Sequence, residues 1–213
     1  MQRFRIEYAK KDALRYTGNL DMQKVWERYL RRAALSVAYS QGFHPQPKIQ
    51  QACPLPLGFF SEAEIVDVWL DDDLITAPMI HQILTTTGQP GIEIRSVSLV
   101  SLSSPALQSI VASAVYRIDL RDTVFPAEIQ SMIERVLSSP SLKRQRRNKT
   151  YDLRPLIESL TVQFGDFPLK TNLFLRLAAR EGATGRPEEV LAEMGLNPAL
   201  VRITRTALIF TET

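Results

Sequence analysis

Few side chains in this chain of 213 residues could perform acid–base or nucleophilic chemistry at neutral pH. The chain has two histidines and one cysteine. His44 could act as a general acid or base, and Asp21 is a second catalytic candidate, although a helix cap explains it equally well. The histidines do not have metal-ligand spacing, and residues 71–73 lack the glycine and the distal glutamate of a calcium loop. We therefore expect no metal and no cofactor, and we favour a non-catalytic protein over an enzyme.

The strongest pattern combines cations with aromatic rings. Cations neutralise phosphates and release counterions, while exposed rings stack on unpaired bases at about 1 to 3 kcal/mol each. Single-stranded RNA binding needs both kinds of group. The candidate substrate-binding residues are Lys24, Arg28, Arg31 and Arg32 on one helix; Tyr39, Ser40, Gln41, Gly42, Phe43, His44 and Lys48 in one loop; and Arg144, Arg146 and Arg147 in one basic run.

Each of these groups also has a purely structural explanation. Charges normally line the exposed face of an amphipathic helix, and the five cations within residues 143–149 could belong to a solvated loop. Aromatic residues in loops are usually buried, so we expect Tyr39 and Phe43 to be core anchors that hold the loop. Gly42 is expected to supply a positive φ, or to let a partner approach closely.

Composition and charge restrict the class of protein. Hydrophobic residues make up 45% of the chain, which is enough for a core. No apolar run approaches the roughly 18 residues of a membrane helix, and the chain opens on an alternating pattern instead of a signal peptide, so we expect a cytoplasmic protein without membrane contact. The net charge of +3 divides into +6 over residues 1–60, −7 over 61–141 and +4 over 142–213. Such segregation predicts one face that meets a polyanion.

Hydrophobic periodicity in the first half predicts the elements that position these residues. Alternation with period two indicates strands, and apolar spacing of three and four indicates helices. Asn19 or Asp21 is expected to cap the first helix. The predicted order is β-α-β-β-α-β, which is the split βαβ of the ferredoxin-like fold. The predicted strands cover residues 3–8, 48–52, 62–70 and 92–97, and the predicted helices cover 22–33 and 76–87.

The second half fits a degenerate copy of the same pattern. A polar stretch at residues 101–105 predicts a domain boundary, which gives domains 1–103 and 104–213. Residues 142–147 are either a strand or a basic loop. The predicted fold class is therefore α+β, with two tandem ferredoxin-like βαββαβ domains, the second degenerate. The remaining predicted strands cover residues 115–120, 160–164, 173–177 and 201–210, and the predicted helices begin at Pro126 and Pro187.

Three sequence blocks carry a family resemblance: Arg15-Tyr16-Thr17-Gly18-Asn19-Leu20-Asp21, Tyr39-Ser40-Gln41-Gly42-Phe43-His44-Pro45, and Pro54-Leu55-Pro56-Leu57-Gly58 with Ser61 and Glu64. These blocks resemble the radical SAM-linked protein family, a bacterial domain of unknown function. Weaker similarity continues through residues 149–155, 185–187 and 202–206. The family commonly has histidine at the position of Asn19 and asparagine at the position of His44, so the resemblance assigns neither residue a catalytic role.

The resemblance implies an association with a cobalamin-binding radical SAM protein, because domains of this family are fused to such a protein or encoded beside it. It also implies that the genes lie near genes of RNA processing. We therefore expect a non-catalytic accessory protein that binds RNA, or an RNA-containing assembly, and works with a radical SAM enzyme. Two alternatives stay open. One is a metal-independent endoribonuclease similar to the CRISPR repeat-processing enzymes, using His44 or Tyr39. The other is a protein-only adaptor for a radical SAM enzyme.

Overall fold

The first half of the chain forms a four-stranded antiparallel sheet with two helices. The computed structural model describes residues 1–120, 126–146, 148–165 and 171–211. The elements are β1 (Gln2–Lys10), α1 (Asn19–Arg32), β2 (Ile49–Gln51), β3 (Phe60–Leu70), α2 (Ala77–Thr87) and β4 (Ile92–Val100). Strand β1 pairs with β3 and β4, and β3 also pairs with β2, which gives the order β4–β1–β3–β2.

Alternation along β1 and β3 decides which side of the sheet faces the two helices. Successive side chains of a strand point to opposite faces of the sheet. The apolar side chains of β1 and β3 on one face pack with the two helices in one core. Trp26 lies at its centre beside Tyr8, with ring centroids 4.9 Å apart in an edge-to-face arrangement. The hydroxyl of Tyr29 donates to the carbonyl of Leu84 at 2.6 Å, which ties α1 to α2. The core includes Phe4, Ile6, Met22, Leu30, Val66, Val68, Leu70 and Ile80.

The start of α1 differs from the prediction. The helix begins at Asn19, with Gly18 as the N-cap and no side-chain capping hydrogen bond. The prediction that Asn19 or Asp21 caps the helix is therefore wrong, because both residues lie inside its first turn. A carboxylate in the first turn still interacts favourably with the helix dipole. A five-residue 3-10 helix, Asp12–Tyr16, precedes α1 and is too short to leave a periodic signal in the sequence.

The second half repeats the arrangement with an insertion. The elements are β5 (Val111–Leu120), α3 (Pro126–Ser138), β6 (Lys143–Arg146), β7 (Lys149–Asp152), β8 (Ile157–Phe164), β9 (Thr171–Arg180), β10 (Ala183–Thr184), α4 (Pro187–Met194) and β11 (Arg202–Phe210). Strands pair in the order β8–β9–β5–β11, with β10 also paired to β9, and the β6–β7 hairpin is inserted between α3 and β8. This order confirms the predicted tandem of ferredoxin-like βαββαβ domains.

The chain separates into two compact units, Met1–Val111 (the first unit) and Ala112–Thr213 (the second unit). Residues 104–107, which the predicted boundary assigns to the second domain, lie in the first unit and hydrogen bond with its strands β1 and β2. The Arg3 guanidinium donates to the carbonyls of Ser104 at 2.8 Å and Pro105 at 2.9 Å. The amide of Leu107 donates to Gln50 Oε1 at 2.9 Å. Among the described residues, no helix is long and apolar enough to cross a membrane.

Candidate nucleic-acid interface

Residues 38–48 form a narrow hairpin along the edge of β3. The amide of Ser40 donates to the Gln46 carbonyl at 2.8 Å, and the Gln46 amide donates to Ser40 Oγ at 2.9 Å. The Lys48 amide donates to the Ala38 carbonyl at 2.8 Å. The Ala38 amide donates to the carbonyl of Trp69 at 2.8 Å. These bonds give the loop one defined shape without a contribution from its aromatic side chains.

The tip of this hairpin presents aromatic rings to solvent. The Phe43 side chain is fully exposed (102%), and Tyr39 is 56% exposed. The prediction that both rings are core anchors is therefore wrong, because backbone hydrogen bonds hold the loop instead. Gly42 has φ of +134°, as predicted, and a Cβ there would meet no atom within 4 Å. Glycine is required at the tip for its backbone conformation and not for space.

The cations of α1 divide into two sets. Lys24, Arg28 and Arg31 lie on the exposed face opposite the core, and none of them has a hydrogen bond or ion pair within the described ranges. The Arg32 guanidinium instead donates to the Gly88 carbonyl at 2.7 Å and to Gln89 Oε1 at 2.9 Å. Since Gly88 is the C-cap of α2, Arg32 binds the carbonyl end of that helix, where cations are favoured.

Helix α1 is also tied to the strand that follows the hairpin. The Gln23 side chain donates to the Ile49 carbonyl at 3.4 Å. The Gln51 side chain donates to the Asn19 carbonyl at 3.2 Å. The hairpin of residues 38–48 (the aromatic hairpin) and helix α1 (the cationic helix) therefore both adjoin β2 within the first unit.

The arginines of the basic run in the second unit differ in whether they contact other parts of the protein. Arg144 forms an ion pair with Glu193 at 2.6 Å and donates to the Glu189 carbonyl at 3.3 Å, so its charge is used inside the protein. Arg146 is exposed and has no ion pair in the part of the chain that the structure describes. Arg147, the third arginine of the predicted set, lies outside the described residues.

The two catalytic candidates lie in surroundings that do not prepare them for acid–base catalysis. His44 and Asp21 are both exposed, and neither side chain has a hydrogen bond or ion pair to any described residue. General acid–base catalysis depends on a partner that orients the group and on a site that excludes water. The described residues also contain no group of three or more His, Cys, Asp or Glu side chains that could hold a metal ion.

Two of the three family motif blocks, residues 15–21 and 54–58, meet at one end of β1, which the sequence alone did not reveal. The Gly58 amide donates to the Arg15 carbonyl at 2.8 Å, and Lys10 Nζ donates to the Thr17 carbonyl at 2.7 Å. The Arg15 guanidinium stacks over the rings of Tyr16 and Phe60, 4.6 and 4.9 Å from their centroids. Three exposed apolar side chains belong to these two blocks. They are Tyr16, Leu20 and Leu57.

The first unit also contains a buried charge cluster with a structural role. Asp67 is completely buried, and Arg3 is 2% exposed. Arg3 donates to Asp67 Oδ2 at 2.6 Å, and Arg5 donates to Asp67 Oδ1 at 2.9 Å. Buried charges are tolerated only when they are paired and hydrogen bonded. This cluster joins β1 to β3 and leaves no unpaired carboxylate for chemistry.

The fold and the exposed side chains define a tandem ferredoxin-like α+β protein with an aromatic hairpin and a cationic helix in its first unit. The chain belongs to the family described as "Uncharacterized protein conserved in bacteria (DUF2344)", whose model matches residues 3–187. This match confirms membership of a conserved bacterial family, as the motif blocks predicted. The association with a radical SAM protein stays a prediction.

Two further comparisons add no functional information. No curated protein matches the chain. A solved structure, named "putative glycine cleavage system transcriptional repressor", aligns over 100% of this chain and 98% of its own chain, with 11% sequence identity and a TM-score of 0.28. At this TM-score the similarity supports no inference about function.

Proposed function

We propose that this protein is a non-catalytic accessory protein of the cytoplasm that binds single-stranded RNA, or an RNA-containing assembly, and works with a radical SAM enzyme. The observation that carries RNA binding is the exposure of Phe43 and Tyr39 on a hydrogen-bonded hairpin. An apolar ring at a loop tip gains nothing from folding, so a bound partner explains it better than stability does.

Each part of the first-unit interface has its own task in this proposal. Phe43 and Tyr39 stack on unpaired bases, which tolerates different sequences because every base has a π face. Lys24, Arg28 and Arg31 neutralise backbone phosphates and release counterions. The hydrogen bonds within the hairpin lower the ordering cost of binding, because the loop already has its bound shape.

The direct test of RNA binding is a titration with fluorescently labelled single-stranded RNA at two salt concentrations, followed by anisotropy. Affinity should fall as salt rises, because phosphate contacts release counterions. Double-stranded RNA of equal length is the matched control, and it should bind more weakly because its bases are not available for stacking. Absence of binding at low salt, or a flat response to salt, would reject the proposal.

The same RNA separates binding from cleavage. After incubation with the protein in the presence of EDTA, we expect the labelled RNA to stay intact. Metal-independent cleavage that is abolished by His44→Ala would establish the endoribonuclease alternative instead. No described residue orients His44, which is why we favour the non-catalytic function.

The partner enzyme is proposed from the motif blocks, since such blocks resemble those of radical SAM-linked proteins. Affinity purification of the tagged protein before and after nuclease treatment tests this part. We expect a radical SAM enzyme among the captured proteins. Capture that survives nuclease treatment, combined with failure of the RNA titration, would identify a protein-only adaptor and reject RNA binding.

A further inference from the structure

A cleft of about 780 Å³ lies in the second unit, between the tip of the β6–β7 hairpin and the turn that joins β9 to β10. Pockets for small molecules typically span about 300 to 1,000 Å³, so the cleft is large enough for a compact ligand. Neither the family match nor the first-unit interface gives it a role. Its lining includes Arg146, Asn148, Lys149, Leu156 and Ala183.

One face of the β6–β7 hairpin carries both the anchor of the hairpin and the cations of the cleft. Arg144 is paired with Tyr151, and Arg146 with Lys149, so all four side chains share one face. Helix α4 holds Arg144 and Tyr151, because Arg144 forms an ion pair with Glu193 at 2.6 Å and the Tyr151 hydroxyl donates to a Glu189 carboxylate oxygen. Arg146 and Lys149, nearer the tip, are exposed and have no ion pair within the described ranges.

Two carboxylates near the cleft, those of Asp152 and Glu189, accept hydrogen bonds from the protein. Asp152 lines the cleft, and its Oδ1 accepts the amides of Leu142 at 2.8 Å and Arg154 at 3.0 Å. The Glu189 carboxylate accepts the Tyr151 hydroxyl. The charged side chains that line the cleft are Arg146, Lys149 and Asp152, so the lining has a net positive charge and favours an anionic ligand.

The lining of the cleft also has an apolar part, formed by Leu156 and Ala183. A Cβ at Gly185 would lie 3.2 Å from Leu156 Cβ, so glycine lets the segment after β10 approach Leu156 closely. Asn148, at the hairpin tip, adds an amide that can both donate and accept hydrogen bonds. An anionic ligand that also has an apolar part with polar edges would therefore be complementary to this lining.

We propose that this cleft binds one nucleotide through both its phosphate and its base. Arg146 and Lys149 bind the phosphate, and the base lies against Leu156 and Ala183 with Asn148 at its edge. The site goes beyond the proposed RNA interface of the first unit and does not depend on it. The same chemistry is present in a free mononucleotide and in one unit of an RNA chain.

The test is a titration of the full chain with AMP, followed by calorimetry and by NMR shifts of the backbone amides of residues 148–149 and 182–184. Reversal of one cation, in Arg146→Glu or Lys149→Glu, should weaken AMP binding at least about tenfold, because a charged hydrogen bond is replaced by repulsion. Lys143→Glu is the matched control. It makes the same charge change on the opposite face of the same hairpin and should alter AMP affinity by less than about twofold.

The two fragments of AMP, and a variant that fills part of the cleft, test the phosphate-binding and base-binding parts of the site separately. Inorganic phosphate and adenosine should each bind more weakly than AMP, and Ala183→Trp should weaken AMP but not inorganic phosphate. Equal affinity for AMP and either fragment would overturn the nucleotide assignment, as would shifts that miss the cleft or an equal loss in Lys143→Glu.

Competition between AMP and a short oligoadenylate would assign the site to RNA, and AMP binding without competition would assign it to free nucleotides. Phe43→Ala should bind AMP normally, which separates this site from the first-unit interface.

Discussion

At the scale of single residues, Phe43 gives the sharpest test of the proposed RNA interface. Its ring is fully exposed at the tip of a hairpin that hydrogen bonds hold without it. Phe43→Ala should therefore leave the melting temperature unchanged. It should weaken single-stranded RNA binding by about 1 to 3 kcal/mol, or roughly 5- to 150-fold, because one stacking platform is removed. Anisotropy titration and thermal unfolding together measure both effects.

A second exposed apolar residue supplies the control for Phe43. Leu74 is also largely exposed on a turn of the first unit, and Leu74→Ala removes a comparable apolar side chain. RNA affinity should stay within about twofold of the wild type, as for most surface substitutions. Equal losses of affinity in the two variants would mean that the hairpin tip has no special role.

Asp152 allows a prediction about pH. The amides of Leu142 and Arg154 donate to its carboxylate and hold its pKa below the usual value. A lowered pKa in the folded state stabilises the protein above the unfolded-state pKa of about 3.9 and loses that contribution as pH falls through the folded value. Asp152→Asn should therefore unfold at a lower temperature at pH 7, and the difference from the wild type should shrink below about pH 4.

Thermal unfolding between pH 2 and pH 7 measures this difference. The asparagine keeps one acceptor oxygen but not the charge, so the pH-dependent part reports the carboxylate alone. A difference between the two proteins that is constant down to pH 2 would show that the Asp152 charge does not contribute.

At the scale of elements, α1 has a buried apolar side and an exposed cationic side. Its core side packs Trp26 and Leu30, while Lys24, Arg28 and Arg31 remain exposed. Replacing these three cations by glutamine should reduce the steepness of the salt dependence of RNA binding, by roughly 0.7 for each phosphate that is no longer neutralised. RNA titrations at four or more salt concentrations measure that slope.

The same helix supplies the control for charge. Arg32→Gln removes one positive charge, but the Arg32 guanidinium is hydrogen bonded to the end of α2. We expect this variant to lower the melting temperature slightly, because the last carbonyls of α2 lose a donor, and to keep the salt slope of the wild type. A slope that falls in Arg32→Gln as much as in each single variant of Lys24, Arg28 or Arg31 would reject the division of the α1 cations into two sets.

At the scale of the whole molecule, some of the charges that are segregated along the sequence are paired with each other within the first unit. The acidic middle of the chain contains Asp67 and Glu93, and both are neutralised within the first unit. Asp67 is paired with Arg3 and Arg5, while Glu93 is paired with Lys11 and Arg95. Strand pairing thus cancels charges that lie far apart in sequence, and the unpaired cations of α1 remain available.

The buried cluster also determines the stability of the folded chain. Asp67→Ala should lower the free energy of unfolding by about 3 to 5 kcal/mol, because Arg3 would stay buried without its main counterion. Urea denaturation measures this change. Asp73→Ala is the control, since Asp73 pairs with the amino terminus in an exposed ion pair, and such pairs are screened by solvent and contribute little. A small effect of Asp67→Ala would show that Arg3 finds other partners.

The sequence by itself determined the fold class and most element positions. The sequence shows period-two alternation at residues 3–8 and 62–70 and helical spacing after residue 22. These patterns depend only on which side chains are buried, so they predict the elements without knowledge of the tertiary contacts. Prolines at 126 and 187 and the glycine at 195 mark helix ends through backbone geometry alone. The motif blocks likewise sufficed to predict a conserved bacterial family.

Only the tertiary structure decided which candidate residues remain exposed and unpaired. Composition could not distinguish Arg32, which binds the end of α2, from Arg28, which faces solvent. It could not show that Phe43 stands at the tip of a hairpin, because backbone hydrogen bonds between residues 38–40 and 46–48 hold the loop and leave no side-chain signal. The cleft of the second unit was hidden for the same reason, since Lys149 and Ala183 belong to distant segments of the sequence and line one cleft only in the folded second unit. Side-chain partners are set by contacts between distant segments, and a pattern within one segment cannot encode them.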